Sequence, residues 1–120
     1  MKKIFSIGLL FLMAACAPPT HYVWGNYEYS LYHYYQNPAD PQPYVAALKS
    51  AVTRGDAIGK TAPGLHAEYG YMLIRLHHPR QAVQQFEDEK RLWPESAGLM
   101  DRMIASMAGP SGTPGAKPQS

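Results

Sequence analysis

The sequence predicts an all-α fold of about five helices, arranged as two helical hairpins and a capping helix. Three observations carry this expectation. Five successive segments place apolar residues three and four apart. Stretches containing proline and glycine separate those segments. Some of the pattern of the central stretch, Gly64–Pro94, also recurs at a repeat's length to either side.

The first element lies in Tyr22–Tyr35, YVWGNYEYSLYHYY, within a region so rich in tyrosine that seven of the nine lie between Tyr22 and Tyr44. At about 100° per residue, Trp24, Tyr27, Leu31, Tyr34 and Tyr35 share one face, which predicts a helix over Trp24–Gln36 with that stripe in the core. Tyr29, Tyr32 and His33 fall off the stripe. Tyrosine away from a buried face serves as an anchor at protein interfaces or as a stacking platform for sugars, so these three are the candidate partner-binding residues.

Asn37-Pro38 and Asp40-Pro41 start turns, and Pro41 and Pro43 suit the first turn of a second helix. Tyr44, Ala47, Leu48, Ala51, Val52 and Ile58 give that helix an apolar face over Pro43–Ile58, weakened in its second half by Gly55. The third helix opens at Pro63 or Gly64 and turns Leu65, Tyr69, Met72, Leu73 and Leu76 inward. His77-His78-Pro79 is the turn, with Pro79 at the start of the fourth helix. There Ala82, Val83, Phe86, Leu92 and Trp93 are apolar, and Glu87–Arg91 reads as a solvated face with a Glu87–Arg91 pair. Pro94 stops this helix. Ser96 is placed to cap a fifth, whose apolar face is Leu99, Met100, Met103, Ile104 and Met107.

Gly64–Pro94 resembles a tetratricopeptide repeat. Gly70, Ala82, Phe86 and Pro94 stand at that family's spacings, with Tyr69 and Leu73 at the packing positions beside Gly70. His66, His77 and Glu89 depart from it. Leu48 and Val52 upstream, and Met100, Met103 and Met107 downstream, match the corresponding packing positions, which implies two tetratricopeptide-like hairpins plus a capping helix. A generic helical bundle could give the same spacing by chance.

Either side of this domain the chain has a different character. Residues 1–15 read as a signal peptide: Lys2 and Lys3, then an apolar run over Ile4–Met13 too short to span a bilayer, then small residues before Cys16. Cys16, the sole cysteine, is the candidate lipidation site, and residues 16–21 form a lipidated tether containing Pro18 and Pro19. Ala17, where an Asp would favour retention in the inner membrane, resembles the pattern that sends lipoproteins to the outer membrane. Removing Lys2 and Lys3 from eleven basic residues leaves nine, against nine acidic ones. The mature domain therefore has no net charge to bring it to nucleic acid. The helical domain covers residues 22–107, and residues 108–120, rich in Gly, Pro and Ser, are expected to be disordered.

Little points to catalysis. The histidines show neither HxxxH nor HExxH spacing, and His77 and His78, being adjacent, cannot face one way from a helix. The serines have no GxSxG or SxxK context, and no glycine-rich phosphate loop is present. The expected protein is not an enzyme and carries no metal or cofactor.

Beyond the repeat, YEYSLYHYYQNP at Tyr27–Pro38, Pro63-Gly64-Leu65-His66-Ala67, and FEDEKRLWPES with the Met100-Asp101 that follows it resemble a bacterial lipoprotein family known as domain of unknown function 4810. That resemblance implies a small outer-membrane lipoprotein, facing the periplasm, that occurs beside a lipoprotein resembling the curli secretion pore. No catalytic residues are known for that family, so the resemblance carries none over. The implied partners are the membrane, through lipid on Cys16, and other envelope proteins, with neither nucleic acid nor a small-molecule ligand expected. The alternative is a lipoprotein that binds peptidoglycan or polysaccharide through exposed tyrosines.

Overall fold

The computed structural model describes residues 21–109. The signal segment, Cys16, most of the tether and the tail from residue 110 lie outside the described residues. The fold is all-α: α1 (Tyr27–Gln36), α2 (Gln42–Ala57), α3 (Leu65–Arg75), α4 (Pro79–Leu92) and α5 (Ala97–Met107), with a single 3-10 turn over Pro94–Ser96. Each helix packs on the next, so α1–α2 and α3–α4 form two helical pairs and α5 closes the row against α4.

The buried core runs through α2 to α5, and α1 packs the partly buried Tyr27, Leu31 and Tyr34 against it. It is built from Tyr44, Leu48, Ala51 and Val52 of α2, Leu65, Tyr69, Met72 and Leu73 of α3, Ala82 and Phe86 of α4, and Met100 of α5. The α3–α4 pair is the tightest region. Phe86 is fully buried, and a Cβ added at Gly70 would meet its ring at 2.7 Å, so the absence of a side chain is what lets the ring lie against the α3 backbone.

Two helix ends close in the same way. At the end of α2, Lys60 N–H donates to Gly55 O at 2.8 Å and Gly59 N–H to Asp56 O at 3.3 Å, with Gly59 at φ 66°. At the end of α3, His78 N–H donates to Leu73 O at 2.8 Å and His77 N–H to Ile74 O at 3.0 Å, with His77 taking the left-handed position at φ 63°. A side chain there costs what glycine avoids.

The start of α3 depends on a distant residue. Its N-cap, Gly64, has no side chain to offer. Glu89 of α4 reaches across instead and accepts Gly64 N–H at 2.6 Å and Ala67 N–H at 3.3 Å. One carboxylate thereby serves both backbone donors that a capping box serves locally, at the end of the helix that favours negative charge. Glu89 is 2% exposed, which corrects the reading of Glu87–Arg91 as wholly solvated. The expected Glu87–Arg91 pair does not form either: Arg91 pairs with Asp88 at 3.1 Å, and Lys90 with Glu87 at 3.3 Å and Asp101 at 2.5 Å.

Other expectations shift in detail. Helix α1 begins at Tyr27 rather than Trp24, and Tyr35, expected on the buried stripe, is 76% exposed. Trp24, Ile58, Leu92 and Leu99, all expected on apolar faces, are exposed as well. Gly55 sits inside α2 because an added Cβ would lie 2.6 Å from Thr61 Oγ1 and 3.0 Å from its Cα. Pro94 is exposed and opens the 3-10 turn. Ser96 precedes α5, but its hydroxyl donates back to Trp93 O at 2.7 Å rather than capping the helix.

Candidate functional site

Helix α1 turns Tyr27, Leu31 and Tyr34 toward α2, where Tyr34 stacks on Tyr44 with ring centroids 5.2 Å apart. The same rotation carries Tyr29, Tyr32 and His33 outward. Tyr29 is 67% and Tyr32 64% exposed, and His33 is also exposed. Tyr32 accepts a hydrogen bond from Gln36 Nε2 at 2.6 Å, and Tyr29 and His33 lie side by side, centroids 6.3 Å apart.

Between α1 and α2 an open groove of about 380 Å³ is lined by Asn26, Tyr29, Ser30, His33, Pro43, Ala46 and Ala47. Tyr29 and His33 contribute to its α1 side, and Pro43, Ala46 and Ala47 keep its α2 side shallow. Tyr32 is exposed on the same helix but is not among the groove's lining residues. Ser30, buried, receives Asn26 Nδ2 at 3.3 Å. The groove was not legible in the tyrosines alone. Its signal is a helix start of small residues, Pro43 with Ala46-Ala47, opposite an aromatic-rich helix.

Beneath α1 lies a polar cluster that sequence reasoning also missed. Tyr27 donates to Glu68 Oε2 at 2.7 Å, and Tyr44 donates to Glu68 Oε1. Burial, reinforced by the Glu68 carboxylate, pushes Tyr27 up to about 12 and raises Tyr44 as well. Both phenols are thus held as donors, and Glu68 is satisfied as an acceptor that ties α1 and α2 to α3. Burial also raises Tyr69.

A second network ties the α2–α3 connection to α4. Thr61 donates to Asp56 Oδ1 at 2.5 Å, and the buried His66 lies between Asp56 (Nε2, 3.1 Å) and Gln85 (Nδ1, 2.7 Å). The order of groups is hydroxyl, carboxylate, imidazole, so no hydroxyl is presented to the imidazole as a nucleophile would be. Beside it, a cleft of about 320 Å³ is lined by Tyr22, Asp56, Gly59, Thr61, Arg91, Leu92 and Trp93. Tyr22 meets Trp93 edge-on at 6.1 Å, and Trp93 Nε1 is buried without a hydrogen-bond partner among the described residues.

Of the other residues singled out from the sequence, Tyr69, Gly70, Leu73, Ala82 and Phe86 are buried along α3 and α4. Cys16 lies outside the described residues. Among the described residues no group of three His, Cys, Asp or Glu side chains is gathered to hold a metal ion, and no helix is long and apolar enough to cross a membrane.

The family described as Domain of unknown function (DUF4810) matches residues 21–103, which take in every helix above up to Met103 of α5. The chain belongs to this family. Its match covers both faces of interest, the α1–α2 groove and the cleft at Tyr22. Comparison with curated proteins and with solved structures gave no match.

Proposed function

We propose that the protein is a non-enzymatic outer-membrane lipoprotein, anchored through Cys16, whose tetratricopeptide-like helical domain holds another envelope protein on the outer face of α1. The observation that carries this reading is the exposure of Tyr29 and Tyr32 beside the α1–α2 groove. Leaving a tyrosine ring two-thirds in water forgoes about 1–2 kcal/mol of burial, and two such rings on one short helix suit a surface that another protein covers. The tetratricopeptide likeness is supported by the close approach of Gly70 to Phe86 and by two successive helical pairs. The non-enzymatic reading is supported by the use of Glu68, Glu89, Asp56 and His66 in internal hydrogen bonds. A lipoprotein resembling the curli secretion pore is the partner to examine first.

A photo-crosslinking residue at position 29 or 32 in cells should give a defined adduct with an envelope protein, and one at the exposed Tyr71 of α3 should not. No adduct from 29 or 32, or equal adducts from 71, would remove the α1 face as the site. For the anchor, Cys16→Ser should abolish palmitate labelling and release the protein from the outer membrane. A variant that still fractionates there counts against it.

The exposed rings of Tyr29, Tyr32 and Tyr35 also favour a second reading, a peptidoglycan or polysaccharide platform. Sacculus retention that is lost in Tyr29→Ala/Tyr32→Ala would select it over the first.

A further inference from the structure

We infer that the face around Tyr22, bearing Trp24, Arg54, Ile58, Lys60, Arg91 and Leu92, lies against the phospholipid bilayer. The inference rests on the anchoring of Cys16 and extends it to an orientation. Tyr22 is where the tether joins the fold: its ring packs on Trp93, and the next residue, Val23, donates its N–H to Lys60 O at 2.9 Å. Six residue steps separate Cys16 from Tyr22, a reach of at most about 20 Å. A domain of this size is roughly 30 Å across. The tether is therefore too short to let the opposite side of the domain face the membrane.

The composition of the face fits that placement. Trp24, Ile58 and Leu92 are exposed, with Ile58 the most so at 61%. Ile58 adjoins Gly59 in sequence, and Gly59, Leu92 and Arg91 border the same cleft as Tyr22. Arg54 lies next to Gly25, its Nη1 3.7 Å from where a Cβ would stand. Asp56 is engaged by Thr61 and His66, and Asp88 by Arg91. Arg54 and Lys60 have no carboxylate partner among the described residues. An exposed indole and aliphatic side chains flanked by basic groups make up the composition that enters a headgroup region carrying anionic lipid. Gln81, near the α3–α4 turn, lies about 16 Å along α4 from Leu92 and is not part of this face.

The test uses the full lipidated chain on vesicles of phosphatidylethanolamine and phosphatidylglycerol. Acylation blocks the only native cysteine, so Ile58→Cys or Gln81→Cys supplies a unique thiol for a fluorophore. Quenching by spin-labelled lipid should be several-fold stronger at 58 than at 81, and Arg54→Glu/Lys60→Glu should reduce it. In Trp93→Phe, the remaining Trp24 gives the same reading from a native side chain. Equal quenching at 58 and 81 on chains that float with the vesicles overturns this orientation and leaves the anchor standing. Chains that do not float overturn the anchor and the orientation together.

Discussion

The α3–α4 hairpin and helix α1 both present amphipathic patterns, but they treat their large side chains differently. In the hairpin Phe86, the largest fully buried side chain, is sealed against Gly70, and even a carboxylate, Glu89, is drawn inside to finish α3. In α1 only Ser30 is buried, while three tyrosines stand in water. The hairpin is therefore a framework, and α1 is a lightly held helix, fixed by Tyr27, Tyr34 and the Glu68 cluster, with most of its aromatic surface facing outward. Core substitutions should separate the two regions by the size of their effect on folding.

Phe86→Ala should have the largest effect, about 3–5 kcal/mol by denaturant titration, because it removes the ring that fills the Gly70 face. Glu89→Ala should follow at about 2–3 kcal/mol, since Gly64 and Ala67 N–H lose a charged acceptor at a buried helix start. Glu89→Gln, which keeps acceptors without the charge, should fall between Ala and wild type. Equal stability of Glu89→Ala and wild type would show that water caps α3 as well as Glu89 does.

How far these features could be read in advance depends on what each residue meets. Gly70, Ala82 and Phe86 were legible because their contacts lie within one hairpin, where spacing sets who faces whom. Glu89 was not. In the sequence it sits among Glu87, Asp88, Lys90 and Arg91, and its burial follows from meeting backbone donors 25 and 22 residues away. Gly55 reads as a weakness in α2, yet its role is to admit Thr61. Tyr34 and Tyr35 are neighbours that the stripe could not separate, and the stacking of Tyr34 on Tyr44 decides between them. Tyr29 and Tyr32 were legible as outward-facing. The groove beside Tyr29 was not, because it is made by what Pro43, Ala46 and Ala47 lack.

The tyrosines that hold α1 give a pH signature. An unfolded tyrosine ionises near 10, whereas Tyr27 is pushed up to about 12 and Tyr44 is also raised. Between these values the unfolded chain has released protons that the folded chain retains, so stability falls as pH rises. The contribution is fully present below about pH 10 and is lost as pH climbs through about 12. Tyr44→Phe should cost about 1–2 kcal/mol at neutral pH and flatten the alkaline decline. An unchanged slope in Tyr27→Phe/Tyr44→Phe would show that other groups cause it. A smaller effect, of opposite sign, is expected at the hairpin turn: His77→Gly should stabilise by about 1 kcal/mol, since glycine takes the left-handed φ without strain.

The smallest effect on folding is expected where the effect on function should be greatest. Tyr29 and Tyr32 contribute the His33 contact and the Gln36 hydrogen bond, both on a solvated helix face and worth a few tenths of a kcal/mol. Tyr29→Ala/Tyr32→Ala should therefore unfold within about 0.5 kcal/mol of wild type. Affinity purification of the same variant from envelopes should lose the partner that the wild-type protein retains. A loss of stability comparable with Phe86→Ala would mean that these rings belong to the framework and that α1 is not a free face. Unchanged stability with unchanged partner recovery would move the contact elsewhere, to the exposed side of α3 at Tyr71 or of α5 at Leu99. Only near-wild-type folding together with loss of the partner separates a helix kept for contact from one kept for packing.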